Sequence, residues 1–119
     1  MFRMNYVDYE LISHYEPRRG GFRHVTTLLY PDGRNITVNV NYVNRTWEKW
    51  QYRTACIKAL EKAIAIELDN ARACFLSANG YKRLTDKRQG AFEKWIANNP
   101  HYGTIINDLH CFLIKVRRA

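Results

Sequence analysis

The chain has 119 residues, of which 46% are hydrophobic and 25% are charged. This balance excludes a disordered tail, and the length suits a single domain spanning residues 1–119. Nineteen Lys and Arg against eleven Asp and Glu give a net charge of +8, which predicts an acidic or phosphate-rich partner. No apolar run approaches the roughly 20 residues of a membrane span, and the N-terminal residues lack a secretory pattern. We therefore expect a cytoplasmic protein that does not associate with membranes.

The first third of the chain has the alternating pattern of β-strands. Strands are predicted over residues 5–15, 22–30 and 35–43, separated by the turn-forming sequences EPRRGG and PDGR. In the third strand, apolar residues such as Ile36 alternate with polar ones such as Thr37, so one face packs on the core and the other faces water. The simplest arrangement is a three-stranded antiparallel β-meander.

Helical spacing replaces the alternation at Trp47, where Asn44 or Thr46 can serve as the N-cap. The spacing predicts a long helix from there to about Ala78, ended by Asn79-Gly80. Its apolar stripe is wide, which predicts packing on two sides, against the sheet and against later helices.

Two shorter helices are predicted after the long one. Thr85 is the expected N-cap of a helix over 86–98, and Thr104 that of a helix over 105–117. The predicted fold class is α+β with the order βββααα, the sheet lying in residues 1–43 and the helical part in 44–119.

The three cysteines lie inside apolar stretches. Cys56 and Cys74 are eighteen residues apart on one predicted helix, about 27 Å at the helical rise, so they cannot form a disulfide. Cys111 leaves the count odd. We predict three buried free thiols.

Motifs for metal binding or catalysis are lacking. The four histidines are scattered without metal-ligand spacing, and no phosphate-binding glycine loop or nucleophile motif is present. No cofactor and no metal are expected, and the protein is predicted not to be an enzyme. A small nuclease remains an alternative, with Asp8, Glu10 or His14 near a basic loop.

Binding is the function that the basic residues favour. They fall into three groups: the first hairpin, the ends of the third strand, and the connection between the first two helices, where Tyr81 adds an aromatic ring. Cationic side chains neutralise phosphates, and a neighbouring ring can stack on a base. The candidate contacts with nucleic acid or a partner are Arg18, Arg19, Arg23, Arg34, Arg45, Tyr81, Lys82, Arg83, Lys87 and Arg88.

The segment NYVNRTWEKWQYRTACIKALEKAI joins a polar strand to a helix that begins with aromatic residues. This stretch resembles small proteins carried by phages and integrative elements of Gram-positive bacteria, over residues 25–66. Such proteins include anti-CRISPR inhibitors, which commonly act without catalysis by occupying a CRISPR effector or its guide RNA. The resemblance implies a bacterial host cell and a CRISPR effector ribonucleoprotein as partner, and it assigns no site residue.

Three strands followed by a helix also occur in the arm-binding domains of phage integrases, whose sheet enters the DNA major groove. By this fold-level analogy, the face with Thr37, Asn39 and Asn41, flanked by Arg23 and Arg34, would contact DNA. The leading hypothesis is thus a non-enzymatic protein that binds a nucleic acid or nucleoprotein complex. A double-stranded DNA-binding regulator or integration accessory factor is the second hypothesis, and the sequence leaves the oligomeric state open.

Overall fold

A computed structural model describes residues 1–43 and 49–119. The strands are β1 (Phe2–Tyr6), β2 (Tyr9–Arg18), β3 (Gly21–Leu29) and β4 (Asn35–Val43). The helices are α1 (Lys49–Asn79), α2 (Asp86–Asn98) and α3 (Tyr102–Arg118). The strands form one antiparallel sheet in the order β1-β2-β3-β4. The predicted α+β class is confirmed, but the sheet has four strands rather than three.

The extra strand comes from the segment predicted as a single strand over 5–15. The chain reverses at Val7 and Asp8, and Tyr6 pairs with Tyr9 across that turn. Val7 adopts a φ of 52°, a left-handed conformation that a β-branched residue rarely takes. Tight hairpin turns usually carry Gly, Asn or Asp at such positions, so a reversal at a valine has no local signal in the sequence.

The other two predicted reversals are present. β2 continues through Pro17 and Arg18 before the chain turns at Arg19 and Gly20. The PDGR turn joins β3 to β4, and within it the backbone N–H of Arg34 donates to Oδ1 of Asp32 at 3.0 Å.

Helix α1 lies across one face of the sheet. The predicted helix start at Trp47 and the proposed caps Asn44 and Thr46 fall outside the described residues. Near its start, the carbonyl of Gln51 accepts a hydrogen bond from Nδ1 of the buried His24 at 3.2 Å, and the Tyr52 ring stacks on that imidazole. The N-terminal end of α1 is thereby fixed beneath β3.

Two apolar clusters hold the molecule together. The larger one contains buried residues of β2, β3, α1 and α3, such as Leu11, Leu28, Leu60 and Phe112. The smaller one joins the last turns of α1 to α2 through Ala71, Phe75 and Phe92. Helix α1 therefore packs on the sheet and on both later helices, as its wide stripe predicts.

The ends of α1 and α2 follow the sequence signals. Gly80, with a φ of 68°, ends α1, and the N–H of Tyr81 donates to the carbonyl of Leu76 at 2.9 Å. This bond spans five residues and is typical of a Schellman C-cap. Helix α2 begins after Thr85, which is the N-cap by position but makes no side-chain capping hydrogen bond to the described residues.

Helix α3 begins at Tyr102, three residues before the prediction, so Thr104 is not its cap. Oδ1 of Asn99 accepts from the backbone N–H groups of His101 (3.0 Å) and Tyr102 (2.9 Å). An Asn side chain satisfies otherwise unpaired first-turn donors as well as Thr does, and here it lies close enough to reach them.

The cysteine prediction is only partly correct. All three thiols are free, but Cys56 alone is buried, Cys111 is half-buried and Cys74 is exposed. Burial raises the pKa of the Cys56 thiol to about 12, so that group stays protonated. Cys74 lies on the part of α1 that extends past the sheet, where less of the helix surface is covered.

Among residues 1–43 and 49–119, none of the helices has the length and apolar character needed to cross a bilayer.

Candidate nucleic-acid interface

The connection between α1 and α2 carries the densest group of cations near an aromatic ring. We define the basic segment as Tyr81, Lys82, Arg83, Lys87 and Arg88. Its first three residues follow Gly80, which ends α1, and its last two lie in the first turn of α2. The start of an α-helix exposes unpaired backbone N–H groups, which favour anions. The cations of the basic segment lie next to such a start, that of α2.

Tyr81 and Arg88 form the ordered centre of the basic segment. The Arg88 guanidinium lies 3.8 Å from the centroid of the Tyr81 ring, and its Nη1 donates to the carbonyl of Arg83 at 3.0 Å. Tyr81 also contacts Phe75 of the smaller core, at 6.1 Å between ring centroids. Tyr81 remains 38% exposed and Arg88 is half-buried, so both side chains are partly accessible.

The cations of the basic segment keep their charge unneutralised. In the part of the chain that the structure describes, Lys82, Arg83, Lys87 and Arg88 form no salt bridge. The nearby Asp86 lies in the first turn of α2 and is not the salt-bridge partner of any of these four described cations. Four positive charges therefore lie within seven residues, with Lys82, Arg83 and Lys87 exposed and Arg88 half-buried.

Arg23, by contrast, is neutralised by a cross-strand neighbour. Its Nε donates to Oε2 of Glu16 at 3.1 Å, and its Nη2 contacts the same oxygen. The hydrogen bonds from Arg23, with a further one from His14, hold the pKa of the Glu16 carboxyl below its usual range. Arg23 is thus engaged within the sheet and adds little to an external cationic surface.

Arg34 is likewise engaged within the molecule. Its Nε donates to Oδ2 of Asp32 at 2.8 Å and its Nη1 to Oε1 of the buried Glu67 at 3.3 Å. The guanidinium also lies over the Tyr30 ring, 4.5 Å from its centroid. This arrangement ties the β3–β4 turn to α1, so the charge of Arg34 is engaged within the fold.

The remaining predicted residues lie far from the basic segment. Arg18 and Arg19 are at the β2–β3 tip, at the end of the sheet where α1 begins, and Arg45 falls outside the described residues. Helix α1 passes the other end of the sheet at Glu67 and continues for about 18 Å to the basic segment. In a molecule 50 Å long, the two groups therefore occupy opposite ends, and the structure does not bring all ten residues together.

The outer face of the sheet carries the polar row that the DNA-binding analogy requires. Thr37, Asn39 and Asn41 are exposed on it. However, two of its arginines, Arg3 and Arg23, each pair with a glutamate on the neighbouring strand, Glu10 and Glu16 respectively, and only Arg18, at the end of β2, has no salt bridge among the described arginines of this face. The two pairs neutralise the central part of this face, which disfavours its use against a phosphate backbone.

The residues suggested for a nuclease do not converge. Asp8 lies in the β1–β2 turn, and Glu10 and His14 are four residues apart on β2, about 13 Å at the strand rise. Glu10 contacts Arg3 and His14 contacts Glu16. Within the described ranges, no cluster of three or more His, Cys, Asp or Glu could hold a metal ion.

Two features of the surface were not foreseen from the sequence. Glu67 is the buried partner of Arg34, and nothing in the sequence links residues 33 positions apart. A groove beside β1, lined by Met4, Tyr6 and Ile114, depends on the hairpin that the sequence did not predict. The aromatic and apolar alternation of residues 2–6 was the one available signal for it.

No protein family, curated protein or solved structure matches this chain. The fold and the surface place it among small basic α+β proteins with an exposed cationic segment.

Proposed function

We propose that the protein is a non-enzymatic binding protein whose partner is a nucleic acid or a nucleoprotein complex, bound through the basic segment. The observation that carries this proposal is that four cations without salt-bridge partners among the described residues surround an exposed, cation-stacked tyrosine. Cations in that arrangement release counterions from a phosphate chain, and the Tyr81 ring with its stacked Arg88 guanidinium offers a stacking surface to an unpaired base.

Single-stranded nucleic acid fits the basic segment better than duplex. A stacking ring is useful where bases are unpaired, as in guide RNA, whereas duplex recognition through the sheet would need a cationic outer face. Residues 25–66 resemble small phage and mobile-element proteins that include anti-CRISPR inhibitors. We therefore propose a CRISPR effector ribonucleoprotein as the first nucleoprotein complex to test as a partner. The duplex-binding regulator remains the second candidate and rests on the exposed row of Thr37, Asn39 and Asn41.

The test compares two double charge reversals. Lys82→Glu with Arg83→Glu lowers the net charge from +8 to +4, as does the control pair Lys58→Glu with Lys62→Glu on α1. Both control lysines are exposed and form no salt bridge among the described residues. Fluorescence anisotropy with a labelled 20-nucleotide RNA should show a loss of about tenfold or more for the first pair and a much smaller loss for the second.

Two further measurements, the salt dependence of binding and the effect of removing the Tyr81 ring, test how the nucleic acid is bound. Four phosphate contacts predict that log K falls with log salt at a slope of about −2.8 for a single strand. Tyr81→Ala should weaken single-strand binding by about 1–3 kcal/mol and leave duplex binding nearly unchanged.

Equal losses for the two charge-reversed pairs would mean that net charge, rather than the basic segment, drives binding, which contradicts the proposal. If the protein binds a nuclease-treated ribonucleoprotein but neither free RNA nor free single-stranded DNA, its partner is the assembled complex. Tighter binding to a 20-base-pair duplex than to RNA would favour the second candidate.

A further inference from the structure

We propose that the groove between β1 and α3 is a docking site for an extended acidic peptide segment of another protein, which adds to the sheet beside β1. This proposal concerns a surface separate from the basic segment and does not depend on the function proposed above.

The groove has an apolar floor at the surface of the molecule. It has a volume of about 560 Å³, and Met4 and Tyr6 of β1 line one side while Ile114 of α3 lines the other. Ile114 is 47% exposed, whereas the other large aliphatic residues near it on α3, Leu113 and Val116, are buried. Apolar side chains grouped in one open groove, rather than scattered singly, mark a surface suited to a protein partner.

β1 offers backbone hydrogen-bonding groups along this groove. It is at the edge of the sheet and, among the described strands, pairs with β2 alone. A two-residue hairpin is closed by a hydrogen-bonded pair, here Tyr6 and Tyr9, so alternation directs the N–H and C=O groups of Arg3 and Asn5 away from β2. An extended peptide beside β1 can bond these groups as a fifth strand.

A lysine of α3 already uses one of these outward groups. Nζ of Lys115 donates to the backbone carbonyl of Asn5. The carbonyl is therefore accessible from the groove, and no strand of residues 1–43 or 49–119 occupies it. A backbone N–H of the bound peptide can replace Lys115 as the donor to the Asn5 carbonyl. The Lys115 ammonium is then free to pair with a carboxylate of the peptide.

The charges at the rim select an acidic occupant. Lys115 and Arg118 line the groove, and neither has a salt bridge within residues 1–43 and 49–119, whereas their neighbour Arg117 pairs with Glu61 at 3.6 Å. With a net charge of +8, a second copy of the chain is repelled, but an acidic segment is attracted. The five residues of β1 span about 17 Å, which sets the length of the paired segment at about five residues.

The test is an NMR titration of the ¹⁵N-labelled full chain with a capped hexapeptide of alternating glutamate and valine. We expect saturable shifts, with a dissociation constant below about 1 mM, at the amides of Arg3, Asn5 and Ile114. A hexapeptide of alternating lysine and valine should not bind. Methylating the backbone nitrogens that would face β1 should weaken binding by about tenfold or more, because strand pairing requires those N–H groups.

A matched pair of variants checks the charge. Arg118→Glu should weaken peptide binding by about tenfold, whereas Lys94→Glu, the same charge change at an exposed position of α2, should leave it unchanged. Both positions are exposed, so urea midpoints close to the parent's are expected. The Lys82→Glu, Arg83→Glu variant should still bind the peptide, which separates this proposal from the preceding one.

Three results would overturn the docking proposal. The first is the absence of saturable shifts below 1 mM in the parent chain. The second is equal binding of the N-methylated peptide, which would reduce the interaction to charge alone. The third is a dimer in sedimentation analysis that Ile114→Glu dissociates, since a second copy would then occupy the groove.

Discussion

Arg34 joins a turn of the sheet to the long helix. Its guanidinium links Asp32 of the β3–β4 turn to Glu67 of α1 and covers the Tyr30 ring. Burial, together with the nearby Glu67 carboxylate, raises the pKa of the Tyr30 hydroxyl above its usual range, and burial raises that of Tyr9 to about 12. These phenols therefore stay neutral, and Arg34 supplies the positive charge that the buried Glu67 needs.

Removing that charge should destabilise the protein. Arg34→Met removes the charged hydrogen-bond donor of the buried Glu67, and we expect a loss of about 1–3 kcal/mol in the free energy of unfolding, reduced by the partial exposure of Arg34. Urea denaturation measures the change. Arg72→Met is the control, because it breaks a pair with the exposed Asp69 and should cost less than about 0.5 kcal/mol. Similar losses for the two variants would contradict the role assigned to Arg34.

His24 is a second residue whose chemistry depends on the core. Burial lowers the pKa of its imidazole, although the hydrogen bond to the Gln51 carbonyl opposes that shift. The unfolded chain therefore takes up a proton near pH 6.5 that the folded chain resists. Stability is expected to fall as the pH drops below about 6.5, by at most about 1.4 kcal/mol per pH unit.

His24→Gln tests this sign. Gln keeps a side-chain N–H donor for the Gln51 carbonyl but does not titrate in this range. Urea midpoints measured from pH 8 to pH 5.5 should decline for the parent and stay flatter for the variant. Parallel curves would show that His24 does not produce the acid sensitivity. Below about pH 4.5, protonation of Glu16 adds a further loss in both proteins, because the pKa of its carboxyl is lowered in the fold.

At the scale of elements, the glycines of α2 and α3 have opposite roles. A Cβ added to Gly90, within α2, would have none of the described atoms within 4 Å, whereas a Cβ on Gly103 would lie 2.6 Å from the carbonyl oxygen of Ile96. The close approach of α3 to the end of α2 thus requires a residue without a side chain at position 103.

Substitution of alanine at these two positions should therefore change the stability of the protein in opposite directions. Gly90→Ala is expected to stabilise the protein by about 0.5–1 kcal/mol, because glycine is a poor helix former in an open helix interior. Gly103→Ala should cost about 1–3 kcal/mol, since the backbone carbonyl cannot move without shifting α2. Thermal unfolding followed by circular dichroism checks both, and a stabilising Gly103→Ala would refute the packing described here.

The whole molecule divides its stability between two clusters of unequal size. The sheet, α3 and most of α1 share the larger cluster, while α2 and the last turns of α1 depend on Ala71, Phe75 and Phe92. Since local opening is easiest where few apolar groups are buried, α2 should open more readily than the sheet. The basic segment lies on this less stable part.

Hydrogen exchange should resolve the two parts. We expect amides of α2 to exchange at least about tenfold faster than those of β3 and of α1 before Glu67. Phe92→Ala should accelerate exchange in α2 further while leaving β3 protected, because Phe92 packs on Phe75 rather than on the sheet. Uniform acceleration in both parts would mean that the molecule opens as one unit.

Local patterns in the sequence determined most of the elements. The second helix was predicted at residues 86–98, as observed, because a polar cap and helical spacing are properties of neighbouring residues. The long helix and its Gly80 end were predictable for the same reason. The split of the first strand was not, since Val7 takes its left-handed conformation only because pairing of Tyr6 with Tyr9 and burial of Tyr9 outweigh its local preference.

The charge of the chain was fixed by its composition, but its distribution was decided by tertiary contacts. Sequence could not show that Arg23 and Arg34 are neutralised by Glu16 and Glu67, because such pairs form between residues brought together by folding. Nor could it show that the length of α1 separates the cations of the β2–β3 tip from the basic segment. A side chain's type sets the charge that it carries, whereas only its neighbours in space decide whether that charge is left for a partner.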